Sequence, residues 1–300
     1  MITGATGGIG TAVAHGLSDH GFAVCVAARN RTAGEELVKS IQARGGHAEY
    51  VYLDLEQTKP AQLRRTFARK PIALLVNNAG TMGRQVGGTM RVNLCAPAIL
   101  TLSLLPCLKA CEGGGRIVNV GSSSHLRAGK VDHLVSDLSI DKTLTAYAQS
   151  KLGLMHLSLL LRVACNQSGI IIHDCHPGIV WTPMLRRHFG EIICSILTRS
   201  GLSGWLFRTP DQGAAAVLWA CLAPASPPTV NHEELLSQYF VNGERDRGRA
   251  ASPESRSCRS ALRTWHWLLN AEPDVSRLAE EAGVAQDLFA SDFCDALDAP

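Results

Sequence analysis

Glycine decides how this chain begins. The sequence opens Met1-Ile-Thr-Gly4-Ala-Thr6-Gly7-Gly8-Ile9-Gly10 and runs straight into a helical pattern. Gly4, Gly8 and Gly10 have the spacing G-x-x-x-G-x-G. A residue without a Cβ lets the backbone turn tightly and lie close against a ligand. The N-terminus of the next helix offers unpaired amides and positive dipole to an anion such as a pyrophosphate. The pattern is a variant of the dinucleotide-binding fingerprint, and its plain alternative is a strand-to-helix turn.

The rest of the chain favours the fingerprint. Short β-type runs (Phe22–Ala27, Ala48–Leu53, Ala73–Val76, Arg116–Val120, Gly169–Cys175) alternate with helical stretches at Gly10–Asp19, Thr32–Arg44, Gln62–Arg69, Val92–Leu108 and Ala146–Ala164. Such alternation implies βαβ crossovers. The expected fold is α/β: a Rossmann-type, doubly wound, mostly parallel seven-stranded sheet with helices on both faces. Tyr239-Phe-Val241 supplies a late strand. Residues 1–245 read as one domain and 246–300 as a C-terminal extension. In that extension the Arg/Ser-rich stretch Glu244–Arg263 reads as an exposed connection, Trp265–Leu269 as a short docking helix, and Glu272–Pro300 as an acidic solvated tail.

Composition narrows the function classes. A net charge of +3 gives no reason to expect nucleic acid. Ten cysteines lack a Cys-x-x-Cys and suggest no disulfide framework, which suits a reducing compartment. His173-Asp-Cys175-His176 lies on a strand-like run whose neighbours point to opposite faces, so no metal site is expected. No apolar run reads as membrane-spanning.

The chemistry sits at the head of the long apolar helix. Tyr147 and Lys151 are an i, i+4 pair and share one helical face. An ammonium beside a phenol favours the phenolate, which makes a general acid/base. At the end of the second strand, Ala28-Arg29-Asn30-Arg31 has no acid where NAD-binding loops carry one. Arg29 and Arg31 suit a 2′-phosphate instead, so the cofactor expected is NADP (NADPH). Asp54, after the third strand, suits the adenine amino group.

Together these residues resemble the short-chain dehydrogenase/reductase family, in its classical branch. The resemblance covers about residues 1–245. It rests on Thr3–Gly10, Asp54-Leu55, Asn77-Asn78-Ala79-Gly80, Asn93, Ser122, Tyr147-x-x-x-Lys151 and Pro177-Gly178-Ile179-Val-Trp-Thr182. Ala146–Leu152, Gly204–Gly213 and, more weakly, Tyr239–Glu244 are similar to the retinol-dehydrogenase and X-linked dehydrogenase/reductase group. The resemblance implies an NADP-dependent oxidoreductase that interconverts a carbonyl and an alcohol on an apolar substrate such as a retinoid, steroid or prenol. In it Ser122 polarises the carbonyl and Tyr147 moves the proton. Lys151 lowers the phenol's pKa and grips the nicotinamide ribose, and Asn93 positions a water in a proton relay. Asn78, Ala79 and Gly80 line the adenosine-side ribose, while Ile179 and Thr182 orient the nicotinamide. Ile192–Phe207 falls where the family has its substrate lid, with a packed core helix as the alternative. Trp205, Leu206 and Phe207 suit peripheral membrane contact.

Two departures qualify the resemblance. Only Met1 and Ile2 precede Thr3, so the first strand is expected to be stunted and poorly paired. The expected location is cytoplasmic, or the cytosolic face of the endoplasmic reticulum if an anchor lies upstream. Only twelve residues separate Gly80 from Asn93, which is shorter than the family spacing. A second hypothesis is therefore a catalytically impaired dinucleotide-binding protein. A third is an epimerase or dehydratase of the extended branch. Helix Ala146–Ala164 is apolar nearly all round, which implies burial within the domain or a homodimer.

Overall fold

A computed structural model of the chain describes all residues except 68–69, 84–85, 131–142, 166–167, 201–205, 225–238, 242–243, 246–251 and 285–300. Seven parallel strands lie in the order β3-β2-β1-β4-β5-β6-β7. They are β1 (Ile2–Thr3), β2 (Val24–Ala28), β3 (Ala48–Tyr52), β4 (Leu74–Asn77), β5 (Arg116–Val120), β6 (Ile171–His176) and β7 (Tyr239–Val241). A two-residue antiparallel edge, β8 (Glu244–Arg245), comes after β7. β2 is Val-Cys-Val-Ala-Ala and wholly buried, as a strand covered on both faces must be.

β1 is stunted, as expected, but it is not poorly paired. Ile2 registers with Val26 on one side and Val76 on the other, and Thr3 with Ala27. Gly4 N–H donates to the Ala27 carbonyl at 3.1 Å and Val76 N–H to the Met1 carbonyl at 2.9 Å. Two residues use both edges, which is why so short a strand holds its place. Below it, Met1, Val24, Phe67 and Ile72 border a cavity of about 420 Å³ between β2 and β4.

Helices α1 (Gly8–Asp19), α2 (Arg31–Ala43) and α3 (Pro60–Thr66) link the first four strands. Next comes α4 (Val86–Met90), then a π-helical turn over Arg91–Cys95 and α5 (Ala96–Lys109). Pro97 has no N–H to give the carbonyl of Asn93, and the helix widens there. Gly88–Lys109 is long and apolar enough to cross a membrane by length and composition, longer than the sequence alone suggested. It is 83% buried inside the fold, as a core helix is.

Beyond the long helix α6 (Thr143–Ala164) lie α7 (Pro183–Phe189), α8 (Glu191–Arg199) and α9 (Pro210–Leu222). The C-terminal region departs most from expectation. Pro253–Arg256 (α10), Cys258–Ala271 (α11) and Pro273–Glu281 (α12) are helices. Cys258, Ala261, Trp265 and Leu268 bury one face of α11, and Val275, Leu278 and Ala279 one face of α12. All but Cys258 belong to the same hydrophobic cluster as α5 and α6. The end of the stretch expected to be exposed, where Cys258 and Ala261 are buried, and the start of the expected solvated tail therefore pack on the core. The 3.6-residue spacing was hidden among Arg and Ser. α11 lies on α6, so the apolar girth of α6 is accounted for within one chain. Cys258 is disulfide-bonded, which cysteine spacing did not announce. Cys25, Cys95, Cys107, Cys111, Cys165, Cys175 and Cys221 are thiols outside any disulfide. His173 and His176 are spent on protein: His173 Nδ1 meets the Ala220 carbonyl, and His176 Nδ1 accepts from Gly178 N–H.

Candidate active site

The carboxyl ends of the strands open into a cleft of about 480 Å³. Its floor is the glycine loop. Gly4 has φ +62°, and a Cβ there would stand 2.8 Å from the Ala79 Cα. A Cβ on Gly10 would stand 2.3 Å from the Gly4 carbonyl oxygen and 2.7 Å from Asn78 Nδ2. Only glycine fits either place. Asn78 Nδ2 donates to the Thr3 carbonyl at 2.9 Å and the Gly4 carbonyl at 3.3 Å. The Thr3 hydroxyl accepts from the N–H groups of Asn78 and Ala79 at 3.1 and 3.0 Å. The end of β4 thus braces the loop. α1 begins after Gly7 with no side-chain cap, leaving its first amides to whatever lies in the cleft. Thr6, Gly8, Ile9 and Gly10 line the wall there. A backbone cradle at an uncapped helix N-terminus fits a pyrophosphate.

Tyr147 and Lys151 line the other end. Ser122 stands just past β5, beside the cleft rather than among the residues that line it. Its hydroxyl donates to Ser124 Oγ at 3.1 Å and accepts from Ser124 N–H at 3.2 Å, which fixes it. Burial pushes the Tyr147 phenol up, and the nearby Ser122 side chain opposes this. Burial also pushes Lys151 down to about 8. Its ammonium donates to the Val120 carbonyl at 2.8 Å and lies 5.9 Å from the Tyr147 ring centroid. The expected lowering of the phenol by Lys151 is not the dominant effect here: a buried phenol with a distant ammonium keeps its proton.

Asn93, at the end of the short Gly80–Asn93 link, folds back on its start. Its side chain is buried and closes the link, accepting from Thr81 N–H at 2.8 Å and donating to the Thr81 carbonyl at 2.8 Å. It also donates to Ser150 Oγ at 3.0 Å. A Cβ on Gly80 would stand 3.4 Å from Lys151 Nζ and 3.5 Å from Asn93 Oδ1, so both groups converge behind Gly80. The amide of Asn93 is occupied by protein, which places it behind the cleft wall rather than in it.

At the adenosine end Arg29, Asn30, Asp54 and Leu55 line the cleft, as do Ala79 and Gly80 nearer its middle. Arg31 does not join them. It pairs with Glu35 at 3.1 Å and lies 5.4 Å from the Tyr50 ring centroid. Asn30 spends its side-chain oxygen on the N–H of Ala33, capping α2. Asp54 Oδ1 accepts from Glu56 N–H at 3.0 Å, forming a local turn. At the nicotinamide end Pro177 and Thr182 line the cleft, and Thr182 also caps α7 through Leu185 N–H. Gly178 and Ile179 do not line it. Gly178 has φ +82° and packs against Arg208. Ile179 is 57% exposed, because Val180 bridges to Arg208 and turns the chain outward. Glu56, Thr81, Val120, Gly121, Pro183 and Met184 line the cleft without having been foreseen. All of them are within a few residues of a motif, at the strand ends that the fold brings together.

A glycine cradle and a Tyr-Lys pair share one cleft, with Ser122 beside the phenol, and comparison with known proteins agrees with what that suggests. The family model of the short chain dehydrogenases matches residues 1–191. The chain belongs to this family. It is 37% identical to mouse (Mus musculus) polyprenol dehydrogenase over 246 residues, covering 75% of this chain and 71% of that one. It is 30% identical to human (Homo sapiens) retinol dehydrogenase 12 over 284 residues, covering 89% and 83%. Human dehydrogenase/reductase SDR family member 13 is 30% identical over 311 residues, covering 96% and 79%. Among solved structures, the gluconate 5-dehydrogenase of Burkholderia cenocepacia J2315, in complex with NADP and tartrate, superposes with a TM-score of 0.61 at 23% identity. It covers 84% of this chain and 94% of its own, and it supports the fold alone. A metagenomic short-chain oxidoreductase in complex with NADP has a TM-score of 0.54 at 25% identity, covering 76% and 92%. The chain is thus a short-chain dehydrogenase/reductase oxidoreductase with an NAD(P) fold.

Proposed function

We propose that the chain is an NADP-dependent oxidoreductase that interconverts a carbonyl and an alcohol on an apolar substrate. The observation that carries this is Tyr147 and Lys151 lining one end of the cleft whose other end is an intact glycine cradle, with Ser122 beside the phenol. The nicotinamide supplies or accepts hydride when bound. Ser122 orients and polarises the substrate oxygen. Tyr147, kept protonated by burial, gives that oxygen its proton in reduction and takes it back in oxidation. Lys151, held by the Val120 carbonyl, offers its ammonium to the nicotinamide ribose. Asn93 acts as a positioning residue, holding Thr81 and with it the wall at Gly80. NADPH is preferred because Ala28 stands where an acid would receive a ribose hydroxyl, and Arg29 lines the cleft beside it.

An apolar substrate fits the rim. Ile179, Ile196 and Leu206 are exposed, and Phe207 stacks on Trp181 with ring centroids 4.7 Å apart. The described side chains of α8 are mostly exposed, which supports reading this segment as a surface lid over reading it as a core helix. Its glycines at 201 and 204, and Trp205, lie outside the described residues. The relatives named for retinol and polyprenol point the same way. The same rim suits contact with a membrane surface on the cytosolic side. The test is NADPH oxidation with a panel of long-chain aldehydes and ketones, beside NADPH titration. Turnover on apolar carbonyls is expected. Tight NADPH binding with no turnover on any of them would hand the protein to the non-catalytic reading.

A further inference from the structure

We infer that Glu56 sets the cofactor preference by competing with the cofactor's 2′-phosphate for Arg29. The inference rests on the NADP reading above and goes one residue further. Arg29 Nη1 and Glu56 Oε1 lie 3.3 Å apart, with both side chains more than half exposed on the cleft wall. The only guanidinium lining this cleft among the described residues is therefore already paired. A 2′-phosphate that reaches Arg29 meets a carboxylate on the same partner, and like charges sharing one site repel.

Glu56 is not free to withdraw its main chain. Its N–H donates to Asp54 Oδ1 at 3.0 Å, and its carbonyl accepts from Arg91 Nε at 3.3 Å. Arg91 in turn donates to the Thr58 carbonyl at 3.1 Å and pairs with Glu272 at 2.5 Å. That second pair is only about one-fifth exposed and ties the loop to the start of α12. The loop holding Glu56 is thus anchored at both ends, while its carboxylate stays at the cleft mouth. Relief can come only from side-chain rotation or from removal of the charge.

The experiment uses the full chain and titrates NADPH and NADH separately by nicotinamide fluorescence, at low and at high salt. Glu56→Gln keeps the size and the main-chain bonds and removes only the charge. It should tighten NADPH about two- to fivefold, the scale of an exposed charge pair, and leave NADH nearly unchanged. The gain should shrink at high salt, where exposed charges are screened. Made on top of Arg29→Ala, the same substitution should give no further NADPH-specific gain, since the contested partner is gone. If Arg29→Ala weakens NADPH by about tenfold but Glu56→Gln leaves the NADPH/NADH ratio unchanged, the competition is wrong and the NADP reading stands. If neither the wild-type chain nor Glu56→Gln prefers NADPH over NADH, both fall together.

Discussion

The cleft and the C-terminal helices hold this fold together in opposite ways. The cleft is built from backbone and small residues: Gly4 and Gly10 where no Cβ fits, Asn78 stitching loop to strand, and Thr3 receiving two amides. Each contact there is short and polar. The C-terminal helices are held by large side chains instead. Trp265 and Leu268 sink into the α5–α6 layer, and His156 of α6 bonds Thr264 and the Glu254 carbonyl at 2.7 and 2.9 Å. α6 serves both regions. Its first turns present Tyr147 and Lys151 to the cleft, and its middle presents His156 to the extension. The contrast separates two kinds of damage: loss of chemistry without loss of fold, and the reverse.

The largest separation should come from Tyr147→Phe. The ring and its packing stay, and the proton donor goes. Turnover should fall about 10²–10⁴-fold, while NADPH affinity and melting temperature barely move. Lys151→Met should lower both turnover and cofactor affinity, because its ammonium serves two partners. A Tyr147→Phe protein with full turnover on an apolar carbonyl would remove the general acid from the account.

Trp265→Ala tests the other side. A buried tryptophan truncated in a core costs about 3–5 kcal/mol, visible as an earlier denaturant midpoint. NADPH affinity in the folded protein should be unchanged if the regions are independent. A matching loss of affinity would mean that Arg91 and Glu272 transmit the damage to the Asp54–Thr58 loop.

Acid should loosen the same region. Burial holds His156 down at about 4, against an ordinary value of 6.5. Above about 6.5 the folded and unfolded forms are both neutral. Between 6.5 and 4 the unfolded chain takes up a proton that the folded one refuses, so stability falls as pH falls across that window. The loss amounts to about 3 kcal/mol at most. Melting curves of wild type and His156→Gln across pH 4 to 7 check it. Equal slopes for both would show that other groups carry the acid sensitivity.

Sequence and structure agree best where the constraint is local. Gly4, Gly8, Gly10, Asn78, Gly80, Tyr147 and Lys151 announce themselves by residue type and spacing, because the backbone or the chemistry admits few substitutes. Ser122 is read from its place at a strand end, and the structure puts it just past β5, beside Tyr147. The misses share a cause. Arg31 sits close to Arg29 in sequence, yet the start of a helix turns it toward Glu35. Ile179 comes directly after the motif glycine, yet the bridge from Val180 to Arg208 turns it to solvent. Trp265–Leu269 reads as a docking helix and docks, but the helix begins at Cys258: Cys258 and Ala261 bury as well, on a helix that packs against α6 about a hundred positions earlier, and nothing nearby in the chain reports that partner.

Asn30 gives the smallest effect and the sharpest boundary between the two regions. It lines the cleft, so spacing made it a cofactor residue. Its side-chain oxygen is nevertheless spent on Ala33 N–H at 3.1 Å, at the start of a 13-residue helix. A cap of this kind is worth about 1 kcal/mol when replaced by alanine. Asn30→Ala should therefore lower stability by that amount and leave NADPH affinity within about twofold, a change of under ~0.5 kcal/mol. Equilibrium denaturation and cofactor titration on one preparation decide it. If affinity falls and stability does not, the side chain leaves its cap to meet the cofactor, and the cleft depends on this residue's chemistry as well as on its backbone.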